Sequence, residues 1–134
     1  MSSENRRAVG EAIRRQVMGD SFVDAALANA DAFTQPFQDH VNEFCWGLTW
    51  ARPGIAMKDR SLWTLAVLAA TGKYTELKGH TRGALRNGCT PDEIAELFLQ
   101  VAVYAGVPAA VESFRTAQPV IAEFAQEQNG SARD

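Results

Sequence analysis

Cysteine is scarce in this chain. Its two residues, Cys45 and Cys89, stand far apart and form neither a CxxC nor a CxxxH spacing. That argues against a disulfide framework and a thiolate metal site, and two reduced, buried thiols are expected instead. Histidine is equally sparse: His40 and His80 fall on separate segments with no cluster of acids at ligand spacing, so no metal is expected. No apolar run approaches the length that spans a bilayer. Residues 1–20 carry four arginines and no apolar segment, unlike a secretory signal, and the cytosol is the expected compartment. Positive charge is not in excess either. Thirteen basic residues are interspersed with 16 acidic ones for a net charge of −3, which argues against a nucleic-acid partner. The glycines fall in neither nucleotide-binding pattern, and the apolar–polar alternation of a strand is absent throughout.

What remains is helical periodicity in an ordinary globular composition, 46% apolar and 22% charged. The length suits one domain over residues 1–134, an all-α bundle of about six to seven helices. Ser3 to Met18 places Val9, Ile13 and Val17 on one face and its arginines on others, with a stop near Gly19. Asp20 or Ser21 is positioned to cap a second helix carrying Phe22, Val23, Ala26 and Leu27. Pro36 suits the first turn of a third. There Phe37, Val41, Phe44, Cys45 and Leu48 form the main apolar stripe, with Trp46 and Trp50 on roughly the opposite side, so this helix should pack on two faces.

The stretch ARPGIAM, residues 51–57, reads as a loop, and RSLWTLAVLAATG after it is apolar almost all round, as in a central helix. Thr75 to Asn87 is a helix stopped by Gly88, and Thr90, Pro91, Asp92 and Glu93 spell a capping box for the next, which ends near Gly106. A last helix opens at Pro108 and should kink at Pro119, and the polar tail, residues 126–134, should fray.

Within Lys73 to Gly106, Glu76 and His80 lie four residues apart, on one face of a helix. A carboxylate beside an imidazole orients the ring and stabilises its protonated form, which prepares a proton donor or acceptor near neutral pH. The same spacing also describes an ordinary solvated pair. Arg52, Arg60, Arg82 and Arg86 fall around the same loops and helix, as surface residues or as two-pronged holders of an acidic substrate. His40 reads as structural or exposed. Trp46, Trp50 and Trp63 read as packing residues, with Trp50 also placed to wall a pocket beside the ARPG loop, and the Tyr104 hydroxyl requires a partner if buried.

The phrases WGLTWARPGI, RSLWTLAVLAATG, ELKGHTRGALRNGCTPDEIAELFLQVAVYAGVPAA and FRTA resemble the gamma-carboxymuconolactone decarboxylase family of the alkylhydroperoxidase D-like fold group. The resemblance covers most of residues 33–117. It implies an all-helical bundle assembled as a homo-trimer or homo-hexamer. Peroxidases of the fold group carry CxxCxxxH, and placing His80 on that histidine puts Lys73 and Glu76 where the cysteines would be. Thiol peroxidase chemistry thereby loses both its nucleophile and its resolving thiol.

The resemblance implies cofactor-free removal of carbon dioxide from 4-carboxymuconolactone, giving the enol-lactone of 3-oxoadipate. In that reading His80 transfers the proton, Glu76 orients it, Arg52 and Arg60 hold carboxylates with Arg82 a third choice, and Trp50 and Tyr104 wall the pocket. Cys89 and Trp63 depart from the family's pattern. Two other readings are an isomerase or hydrolase of a related acid and a non-catalytic ligand-binding or assembly protein of the same fold.

Overall fold

The structure, a computed structural model, describes the backbone of residues 1–133 and the side chains of residues 1–130. The chain divides after Met57 into two compact units. The first holds α1 (Ser3–Met18), α2 (Asp20–Ala28) and α3 (Gln35–His40), the last continuing into a π-helix over Val41–Trp50. The second holds α4 (Met57–Thr71, which begins at the boundary), α5 (Tyr74–Arg86), α6 (Pro91–Ala105) and α7 (Val107–Arg133). Among the described residues there is no strand, and no helix is long and apolar enough to cross a membrane.

In the first unit, α1 starts where the Ser2 side chain accepts from the Asn5 N–H and stops at Gly19, whose φ of 92° is open to glycine. Asp20 and Ser21 do not cap α2. Gly19 occupies that position without a side-chain bond, and the Asp20 carboxylate instead meets Arg15 at 3.2 Å.

Of the two faces expected to pack, only the one that carries Trp46 and Trp50 is buried within this unit. Trp46 and Trp50 are 5% and 7% exposed and stack at 4.8 Å, whereas Phe37 is 64% exposed and Phe44 and Leu48 also face out. Two features select the tryptophan side. The π-helix closes i to i−5 bonds, as from the Ala51 N–H to the Trp46 carbonyl at 3.0 Å, so a 3.6-residue period misplaces its stripe. Gly10 and Gly47 also let α1 approach this side backbone to backbone. The close approach brings Arg6 onto Glu43 at 2.8 Å and buried Arg14 onto Gln38 at 2.9 Å and Asn42 at 3.1 Å. These arginines therefore face the packing surface of α1 and not only its outer sides.

In the second unit, Leu65, Ala69, Leu77, Ala84, Ile94, Phe98 and Ala117 form the buried core. The capping box of α6 is present: the Thr90 hydroxyl accepts from the Glu93 N–H at 3.1 Å, and the Glu93 carboxylate accepts from the Thr90 N–H at 3.0 Å. Gly88, with φ 92°, turns the chain out of α5. Helix α4 is not enclosed on all sides within its unit. It buries Ser61, Leu65 and Ala69, whereas Trp63 and Val67 are each 61% exposed. Helix α7 runs through Pro119 and stays helical over residues 126–130, where fraying was the expectation; the side chains of the last four residues lie outside the described set. Cys89 is buried as expected, but Cys45 is exposed, on the outward side of the π-helix.

Alanine in place of glycine normally stabilises a helix by about 1 kcal/mol. At Gly10 the added methyl meets the Asn42 backbone oxygen, which cannot swing aside. Gly10→Ala is therefore expected to destabilise the protein by about 1–3 kcal/mol in a urea titration; a gain in stability would show that the two helices do not approach so closely.

Candidate functional site

Helix α5 carries four of the residues singled out above, and its packing decides where each points. Leu77, Thr81, Ala84 and Leu85 are buried, and the Thr81 hydroxyl is satisfied inside by donating to the Leu77 carbonyl at 2.7 Å. His80 precedes Thr81 and is half-buried at the margin of this face, whereas Glu76 is exposed in the first turn of the helix. An acid there interacts favourably with the positive end of the helix dipole.

Burial strips water from the His80 imidazolium and lowers its pKa from the ordinary 6.5 to about 4. The ring is therefore neutral at pH 7. The spacing alone suggests a protonated ring held by Glu76 near neutral pH, but burial sets the shift, because an exposed carboxylate acts through water and is screened.

The arginines separate. Arg82 reaches across to α7 and meets Glu127 at 2.7 Å and Glu123 at 3.1 Å, so its guanidinium serves the α5–α7 contact. Arg86 is exposed at the end of α5, and partial burial followed by the neighbouring Arg82 lowers its pKa. Arg60 is half-buried in the first turn of α4. Tyr104 is 82% exposed near the end of α6, so its hydroxyl does not depend on an internal partner. Arg52, exposed, and Trp50, buried against Trp46, belong to the first unit.

A cleft of about 250 Å³ between α6 and α7 contains none of these residues. Ile94, Phe98, Phe114, Ala117 and Ile121 line it, with Gln118 as its polar member, and Phe98 meets Phe114 edge to face at 5.2 Å. Its walls offer no positive charge to a carboxylate. Among the described residues, no group of three or more His, Cys, Asp or Glu side chains is placed to hold a metal ion.

Sequence reasoning missed Ser61 and Asn87, which hydrogen-bond at 2.9 Å across a separation of 26 residues. Both lie in phrases that carry the family resemblance, but no spacing links them, so only the fold reveals the pair.

Comparison with known proteins places this geometry in context. The model of the carboxymuconolactone decarboxylase family matches residues 35–119, a span that includes Arg60, Glu76, His80 and Asn87. The chain is 40% identical over 124 residues to a 4-carboxymuconolactone decarboxylase of Acinetobacter baylyi, with 92% of each chain covered. It is also 43% identical over 112 residues to a nitrosuccinic acid decarboxylase of Metarhizium robertsii, covering 84% of this chain and 78% of that one.

The lowered pKa of His80 has a consequence for stability. Between pH 6.5 and about 4 the unfolded chain binds a proton at this position that the folded chain refuses. Stability from this source is complete above that window and falls as the pH drops through it. Thermal midpoints measured across the window should fall less for His80→Gln than for the parent; parallel curves would show that the ring titrates normally when folded.

Proposed function

Because the chain belongs to the carboxymuconolactone decarboxylase family, we propose that it removes carbon dioxide from a small carboxylated lactone, 4-carboxymuconolactone, and leaves the enol-lactone of 3-oxoadipate. The observation that carries this reading is the 40% identity to the Acinetobacter enzyme over nearly the full length of both chains. The reaction supplies its own electron sink. As the bond to the departing carboxylate breaks, its electron pair enters the conjugated lactone and charge collects on the carbonyl oxygen. What the protein must add is a grip on the remaining carboxylate, stabilisation of that oxygen, and a proton for carbon.

His80 is our choice for the proton. In the ligand-free chain the ring is neutral, and a bound carboxylate beside it favours the imidazolium and raises its pKa. The charged ring then delivers its proton to the carbanion carbon, returns to the neutral form, and recovers a proton from water. Glu76, one turn away, shares or steers that proton. Arg60, half-buried in the first turn of α4, is our choice for the carboxylate holder. The roles of Arg52, Trp50 and Tyr104 rest on the family resemblance alone.

The Metarhizium relative favours a second reading with the same logic. Nitrosuccinic acid also loses carbon dioxide next to an electron-withdrawing group, and the nitro group takes up the charge as a nitronate. Both acids keep a second carboxylate after the loss. Carbon dioxide release from each acid, measured side by side, distinguishes the two. Turnover of the lactone should fall at least 100-fold in His80→Ala. No release from either acid, or a variant that matches the parent, would sink the assignment.

Self-association belongs to the same proposal. Trp63, Val67, Leu99, Val103, Tyr104 and Val107 of the second unit are all more than half exposed, and large exposed apolar side chains mark contact surfaces when they are contiguous. We read this area as the contact between copies in a homo-trimer or homo-hexamer. Light scattering should give a mass of three or six chains, and Trp63→Glu should lower it; a monomeric parent at micromolar concentration would contradict the reading.

A further inference from the structure

Three bonds fasten the turn between α5 and α6 to the first turn of α4. Asn87, which ends α5, donates from Nδ2 to the Ser61 hydroxyl oxygen at 2.9 Å. The Cys89 thiol points at the Lys58 carbonyl oxygen at 3.5 Å, and the Lys58 ammonium meets the Glu93 carboxylate at 2.8 Å. These ties are unequal. The thiol is a weak donor, and the Lys58–Glu93 pair is open to solvent and screened by salt. Ser61 is fully buried beneath Asn87, so loss of the amide takes a donor from a buried hydroxyl oxygen.

Arg60 is the residue immediately before Ser61, and His80 lies seven residues before Asn87 on the same helix. The Asn87–Ser61 bond thus joins the helix that carries the imidazole to the helix that carries the arginine, next to the arginine itself.

We propose that Asn87 is a positioning residue, whose amide anchors Ser61 and thereby fixes the guanidinium of Arg60 in register with the imidazole of His80. This rests on the reading of the chain as a decarboxylase of an acidic substrate. A side chain held within about half an ångström binds a carboxylate that a loosened one meets only part of the time. Asn87 therefore acts through Arg60, without touching the substrate.

The test is a set of variants of the full chain, with carbon dioxide release from 4-carboxymuconolactone and from nitrosuccinic acid as the activity and the thermal midpoint as the fold control. Asn87→Ala should raise KM roughly three- to tenfold with kcat within about twofold of the parent, as for loss of uniform substrate binding. Ser61→Ala should do the same, and the double variant should be no worse than either single one. In an Arg60→Ala background, Asn87→Ala should leave KM unchanged while lowering the thermal midpoint as it does in the parent. Asn87→Asp keeps the shape and lets the Ser61 hydroxyl donate instead, so its KM should return toward that of the parent. If Asn87→Ala does not fold, Ser61→Ala carries the same comparison with Arg60→Ala. A parent that turns over while the variants lose stability at unchanged KM overturns the positioning role alone, as does a KM rise that persists undiminished without Arg60. A parent that releases carbon dioxide from neither acid overturns the decarboxylase reading and the positioning role with it.

Discussion

The partial burial of one imidazole is the constraint on which the proposed chemistry depends. Helix α5 must turn Leu77, Thr81, Ala84 and Leu85 toward the core, and that requirement fixes the rotation of the helix about its axis. His80 is carried to the margin of the buried face, where its charge is costly, and Glu76 is left in water. The ring is neutral because the helix packs, and the packing follows from four small or aliphatic side chains with no chemistry of their own. A substrate carboxylate beside the ring would favour its protonated form, so that proton uptake and acid binding become one event.

Much of this was legible in the sequence wherever the signal was local. Ser3–Met18 could be bounded from its periodicity and Gly19, and the Thr90–Glu93 capping box could be read residue by residue. Gly88 announced its turn in the same way. Signals that depend on a partner far along the chain were not legible. That the Trp46 and Trp50 side is the one packed on α1 needs both the π-helical bonding and the Gly10–Gly47 approach, and neither leaves a periodic trace. Trp63 read as a packing residue, in a core or at an interface, because a period-based reading cannot tell a face covered by the same chain from one left open. Arg82 found its acids 41 and 45 residues away, and the Asn87–Ser61 bond likewise crosses between helices.

The arginines show how the fold sorts residues that the sequence presents as equals. Arg82 meets two glutamates of α7 and is occupied with holding helices together. Arg60 sits in a turn tied to the end of the histidine's helix, which is how a site that must place a guanidinium and an imidazole together would be built. The two decarboxylase relatives act on acids with different electron sinks, a conjugated lactone and a nitro group. A site that grips a carboxylate and supplies one proton serves both, and the sink is left to the substrate.

The most direct measurement is a nuclear magnetic resonance titration of the His80 ring, assigned against His80→Gln, with and without a saturating non-reactive dicarboxylate. The ring should titrate at about pH 4 in the free protein and markedly higher in the complex. A ring that titrates at its ordinary pKa when free, or whose pKa does not move when the dicarboxylate is bound, would contradict the account.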